Sequence, residues 1–134
     1  MDECVDYSAN SLDVFKGMQA KRVVITGIGM VTPLGNDVAS TWHNLLQGKS
    51  GAGRITHFDA SKFKTQFACE VKDLDMSALF DQKEMRRYDR CIHYAVKSTD
   101  EAIRDAQINM AEEDALRCGV IYGSGMGGVN ALDT

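Results

Sequence analysis

The stretch Lys21 to Asn36, KRVVITGIGMVTPLGN, decides how the rest of the chain is read. Val23-Val24-Ile25-Thr26 is a β-branched run bounded by Gly27 and Gly29, the pattern of a buried, central strand that runs into a tight turn. After Pro33 and Gly35, either Asn36 or Asp37 can N-cap a helix. The apolar residues Val38, Trp42, Leu45 and Leu46 then recur at i, i+4, i+7 and i+8, and Gly48 is placed to stop that helix.

Beyond this unit, Lys49 to Arg54 reads as a glycine- and serine-rich loop. Ile55 to Asp75 has short apolar patches without a firm period, with one short strand expected near Thr65 to Val71. The strongest periodicity follows. Tyr88, Cys91, Ile92, Ala95, Val96, Thr99, Ala102, Ile103 and Ala106 make one face of a long helix. Asp89, Arg90, His93, Lys97, Asp100, Glu101, Arg104 and Asp105 make the other, with Lys97/Glu101 and Asp100/Arg104 as i,i+4 pairs of opposite charge. Gly119-Val120-Ile121-Tyr122 reads as a second buried strand entering Gly123-Ser124-Gly125-Met126-Gly127-Gly128. Strands alternating with helices place the chain in the α/β class.

Composition narrows the function. The 134 residues carry 15 Lys+Arg against 19 Asp+Glu, a net charge of −4, with 44% hydrophobic residues and a single Pro. That balance fits one ordinary globular unit and excludes a basic nucleic-acid binder or a disordered tail. No apolar run approaches the ~18 residues of a membrane span, and the acidic start (Asp2, Glu3, Asp6) is not a secretory signal, so a cytoplasmic protein is expected. The cysteines at 4, 69, 91 and 118 are too far apart for a C-x-x-C or a zinc set, so reduced thiols and no metal are expected. Cys91 and His93 lie two apart on the long helix and point to different faces. Residues 1 to 20 lack a sustained period and are read as a leader or appended extension, expected to be disordered apart from a weak helix around Leu12 to Met18.

Two features carry chemistry. Gly123, Gly125 and Gly128 satisfy G-x-G-x-x-G after a predicted strand, which admits a dinucleotide-binding oxidoreductase; the competing reading is a strand-exit loop where backbone approaches something closely. Met126 is the one bulky side chain there, able to line an apolar slot or fill core. The second feature is Asp81-Gln82-Lys83-Glu84-Met85-Arg86-Arg87. Asp81 with Glu84 forms a capping-box pattern, and Lys83, Arg86 and Arg87 fall at i, i+3 and i+4 on one side of the helix start. Cations in the first turns oppose the helix dipole, so on an acidic chain this island points to an anionic partner, with a solvated charged face as the alternative.

The segments KRVVITGIGMVTPLGN, FDASKFKTQFACEVKD (Phe58 to Asp73), KEMRRYDR and CGVIYGSGMGG occur in the order and spacing of the start of β-ketoacyl-acyl-carrier-protein synthases. From Lys21 onward the chain resembles that family, and most of all its type II elongating branch. The resemblance implies a thiolase-like α/β/α/β/α layered fold, a homodimer and no cofactor. It also implies a decarboxylating Claisen condensation, in which an acyl group held on a cysteine is attacked by the carbanion from malonyl-carrier protein to give 3-oxoacyl-acyl carrier protein.

Residue by residue, the resemblance assigns Lys83, Arg86 and Arg87 to the patch that receives the acidic helix of acyl carrier protein. Gly125 and Met126 are assigned to the end of the acyl pocket. It places the nucleophilic cysteine and the two histidines beyond Thr134, so no catalytic residue is assigned in this chain. Residues 21–134 are expected to be an incomplete part of the N-terminal domain, inactive and poorly stable alone. The alternative from another class is a non-catalytic subunit of the chain-length-factor type, or a carrier-binding module that keeps the docking surface without the nucleophile.

Overall fold

The computed structural model of the protein describes residues 22–128. The leader expected over residues 1–20, with its weak helix at Leu12 to Met18, lies outside the described residues. Helix α1 spans Val38–Leu46 and starts where Asp37 caps it, Oδ1 accepting the Ser40 N–H at 2.7 Å. It ends at Gln47 and Gly48, the latter at φ +65, a conformation glycine adopts without a Cβ penalty. Ahead of α1, Thr32-Pro33-Leu34-Gly35 closes as a turn with paired backbone bonds of 2.8 and 3.2 Å between Thr32 and Gly35. Thr41, the buried residue of α1, secures that turn by donating to the Gly35 carbonyl at 3.2 Å and meeting Thr32 Oγ1 at 3.0 Å. The apolar positions Trp42, Leu45 and Leu46 form the expected helix but stay more than half exposed.

Strands β1 (Ala52–Arg54) and β2 (Phe67–Cys69) pair antiparallel, with Ala52 opposite Cys69 and Arg54 opposite Phe67. β2 lies within the span expected to hold a strand. β1 corrects the reading of Lys49 to Arg54 as loop throughout: a three-residue strand with a central glycine shows no alternation, and its partner alone defines it.

Helix α2 (Gln82–Arg87) and helix α3 (Arg90–Asp105) follow, separated by Tyr88 and Asp89 in extended conformation, and a short 3₁₀ turn spans Ala115–Arg117. The long periodic helix therefore begins two residues later than its apolar face suggested. Tyr88 belongs to the exit of α2.

The two strands read from the β-branched runs are not formed in the described residues. Val23 and Ile25 are 89% and 85% exposed, Ile121 is fully exposed, and neither 23–26 nor 119–122 joins a ladder. The physical reason is visible in the groove between them, about 940 Å³, with Thr26, Gly27 and Gly29 on one wall and Cys118, Gly119 and Val120 on another. Strands exist by pairing, and no described segment occupies the space between these two extended stretches.

The extended segment instead runs along α3. Ile28 N–H donates to Asp105 Oδ2 at 2.9 Å, and Met30 N–H to Glu101 Oε2 at 2.9 Å. Glu101 Oε1 also accepts the Val38 N–H at 2.8 Å, joining the start of α1 to the same helix. Two residues of extended chain advance about 6.6 Å and four residues of helix about 6.0 Å, so acids one turn apart match amides two residues apart. On the same lattice Gly27 and Gly29 approach α3 so closely that a Cβ on Gly29 would overlap the Ser98 carbonyl, and one on Gly27 would lie 2.8 Å from Ala106 Cβ.

Glu101 and Asp105, on the helix face opposite the apolar stripe, thus serve backbone amides of another segment. The expected Asp100/Arg104 pair is present at 3.1 Å, whereas Glu101 is engaged with backbone amides. His93, placed on the polar face by periodicity, is only 7% exposed, with its ring 5.3 Å from that of Phe80. Buried residues are few: Ala60, Met76, Thr41 and His93.

Candidate functional site

Helix α2 has six residues, too short to persist on propensity, and local devices at both ends hold it. At the start, Asp81 Oδ1 accepts the Lys83 and Glu84 N–H groups at 2.7 and 2.8 Å, and Glu84 Oε2 accepts the Asp81 N–H at 3.0 Å. The capping box read from the sequence is therefore complete. At the flanks, the rings of Phe80 and Tyr88 meet at 5.6 Å, and Phe80 also rests on His93 of α3. Phe80 and Met85 occupy the N′ and N4 positions of a hydrophobic staple.

This frame presents Lys83, Arg86 and Arg87 as exposed side chains, with the Arg87 guanidinium carbon 5.9 Å from the Tyr88 ring centroid. Among the described residues no salt bridge engages any of the three. Because α2 ends at Arg87, Arg86 and Arg87 lie in its last turn, where the dipole favours cations. The dipole conflict vanishes; what remains is three unneutralised cations on one small helix.

The glycine loop reaches the first turn of α3. Gly125 and Met126 are both exposed, Met126 at 84%. Gly127 packs on α3, where an added Cβ would lie 2.8 Å from Cys91 Sγ, and Gly128 has φ +84. The first turn of α3 is thus a common anchor: α2 ends two residues before it, and the glycine loop rests on Cys91. The expected need for close backbone approach is met at Gly127, while Gly119, Gly123 and Gly125 face open space.

A second polar cluster joins the β1–β2 connection to α3, where Arg90 Nη1 lies 2.8 Å from the His57 ring nitrogens. Glu70 accepts from Thr56 Oγ1 at 2.8 Å and from the Thr56 N–H at 3.0 Å, and these bonds hold its carboxyl below its ordinary value of 4.5. His57 Nε2 lies 3.7 Å from Glu70 Oε1. Similar turn-forming bonds from Ser61 and Ser77 lower Asp59 and Asp75. Cys69, Cys91 and Cys118 are free thiols, and among the described residues no group of three or more His, Cys, Asp or Glu is arranged to hold a metal ion. No described helix is long and apolar enough to cross a membrane.

Sequence reasoning missed His93, Glu101 and Asp105. A signal for the acids was present in the small residues Ser98, Ala102 and Ala106, spaced by four along α3, which mark a strip where another backbone can come close. Periodicity gave no hint for His93, because its burial depends on Phe80 from outside the helix.

Comparison with known proteins bears on this arrangement. Residues 20–134 match the family model described as beta-ketoacyl synthase, N-terminal domain. The chain is 43% identical over 116 residues, 87% of its length, to 3-oxoacyl-[acyl-carrier-protein] synthase 2 of Synechocystis sp.. It is 47% identical over 112 residues to the protein of that name from Coxiella burnetii. It spans 28% and 27% of the lengths of these two relatives. Among solved structures it is similar to the ishigamide ketosynthase/chain length factor, with TM-score 0.61 and 33% identity over 69% of this chain and 23% of the other. The family match takes in the glycine loop, which removes the basis for a separate dinucleotide-binding reading of Gly123 to Gly128. The chain belongs to the beta-ketoacyl synthase family, as part of its N-terminal domain.

Proposed function

We propose that the polypeptide carrying this chain is an elongating 3-oxoacyl-acyl-carrier-protein synthase of fatty acid synthesis, an acyltransferase that takes both substrates from acyl carrier protein. The family match over residues 20–134 carries this reading, supported by the exposed cations of α2. In the reaction, an enzyme thiolate takes the acyl group as a thioester and malonyl-carrier protein loses carbon dioxide. The carbanion so formed attacks the thioester carbonyl, releasing the thiolate and 3-oxoacyl-carrier protein. None of the described cysteines is assigned to that chemistry.

This chain contributes carrier capture and a wall of the acyl site. Lys83, Arg86 and Arg87 form a rigidly capped cationic face suited to an acidic helix of the carrier. Gly125 and Met126 lie at the end of the acyl pocket, within a thiolase-like layered fold that pairs as a homodimer in the cytoplasm. The test is the double substitution Lys83→Glu, Arg86→Glu in the complete protein. Binding of acyl carrier protein should weaken at least tenfold at low salt, and its salt dependence should flatten. Unchanged affinity at low and high salt would remove the docking assignment.

The similarity to a structure that includes a chain length factor favours one second reading, a non-catalytic subunit that keeps the docking face. Formation of a covalent acyl thioester by the complete protein separates the two. The enzyme forms it and the subunit does not.

A further inference from the structure

The six residues of α2 are a small part of a protein interface, which takes in about 20–30 residues on each side. We propose that the β1–β2 connection is a second part of the surface that receives acyl carrier protein, acting through Lys62, Phe63 and Lys64 and through the Arg54–Phe67 pair that closes it. This extends, and rests on, the carrier reading of α2.

Charge sets the segment apart. Between Arg54 and Gln66 the cations Arg54, Lys62 and Lys64 stand against one carboxylate, Asp59, on a chain whose net charge is −4. All three cations are exposed, and among the described residues none of them takes part in a salt bridge. Asp59 turns back on its own loop, where it accepts the Ser61 N–H at 3.0 Å. An unneutralised cationic segment on an acidic chain is complementary to an acidic partner.

Aromatic rings lie among these charges. Phe63 separates the two lysines, and its ring meets that of Phe58 edge-on at 5.6 Å. Arg54 stands directly opposite Phe67 in the ladder, so this cation and ring share one face of the two strands. Phe58, Phe63 and Phe67 are 55%, 59% and 66% exposed. Rings interleaved with cations suit an amphipathic acidic helix, whose carboxylates meet the lysines while its apolar edge covers the rings.

Position favours the carrier over a lipid surface, for which the rings and lysines alone would suffice. His57 of the same connection meets Arg90 Nη1 at 2.8 Å, and Arg90 follows the end of α2 by three residues, at most about 11 Å of chain. The connection is thus anchored beside the α2–α3 junction, within the footprint of one partner of standard size.

The experiment measures the affinity of the complete protein for acyl carrier protein by titration calorimetry at low and high salt. Lys62→Glu, Lys64→Glu should weaken binding about fivefold at low salt and less than twofold at high salt. Phe63→Ala should weaken it about threefold at both, because an apolar contact is not screened. Arg104→Glu, about 21 Å along α3 from Arg90, changes net charge alone and should shift affinity less than twofold. Should Phe63→Ala fail to fold, the lysine pair decides, with Lys62→Gln, Lys64→Gln as its milder form. Unchanged carrier affinity in the lysine variants overturns the proposal. So does an equal loss in Arg104→Glu, or a loss confined to binding of phosphatidylcholine–phosphatidylglycerol vesicles. If Lys83→Glu, Arg86→Glu loses the carrier while the lysine variants keep it, this extension falls and the α2 assignment stands. If none of them loses it, the docking reading itself falls.

Discussion

The Met30 backbone N–H donates to the Glu101 carboxylate at 2.9 Å across 71 residues of sequence, and the second oxygen of Glu101 takes the Val38 N–H at 2.8 Å. One side chain thereby ties the extended segment and the start of α1 to the middle of α3. Hydrogen bonds to a charged acceptor contribute more than neutral ones, about 1.5–3 kcal/mol, and two amides lose their partner together. Glu101→Ala in the complete protein should cost about 2–4 kcal/mol in urea unfolding. Asp100→Ala, which removes only the exposed pair with Arg104, should cost no more than about 0.5 kcal/mol. Equal costs would show that Glu101 is no more than another surface acid.

Gly29 tests the same packing by volume. A methyl group there would overlap the Ser98 carbonyl, which belongs to the helix backbone and cannot rotate away. Gly29→Ala should destabilise by about 1–3 kcal/mol or more, as overpacking does. Gly53→Ala is the control, since its nearest neighbour is the flexible Lys72 Nζ at 3.6 Å, and its effect should stay within about 0.5 kcal/mol. Thermal unfolding of the two variants side by side decides the point.

Asp37 gives a pH-dependent prediction. The Ser40 backbone N–H that it accepts holds its carboxyl below its ordinary value of 3.8. A lowered folded-state value means that the stabilisation is complete above the ordinary value and is lost as pH falls through the lower folded one. Asp37→Ala should therefore cost about 1 kcal/mol at neutral pH and progressively less below pH ~3.8. Asp37→Asn, which keeps an acceptor but cannot titrate, should flatten this part of the acid limb. Denaturant midpoints measured at pH 7 and pH 3 read both effects.

Met126 tests the proposed acyl-pocket assignment. In the complete enzyme Met126→Phe should reduce kcat/KM for long acyl chains about tenfold more than for short ones. An equal loss at every chain length would mean that this side chain only fills space.

Local chemistry was readable in the amino acids alone. Asp37 before the first helix, Asp81 with Glu84 before the second, and Gly48 at a helix end are signals completed within a few residues, and each is formed as read. The exposed cations Lys83, Arg86 and Arg87 and the family motifs were legible for the same reason: they sit in contiguous text. The β-branched runs at 23–26 and 119–122 were not sufficient to make strands, because a ladder needs a neighbour that the run itself does not encode. Tertiary structure alone decided that Glu101 and Asp105 serve distant backbone amides and that His93 is buried against Phe80. A helix face becomes polar surface or interior only when another segment does or does not arrive on it, and here the arriving residues lie 13 to 77 positions away.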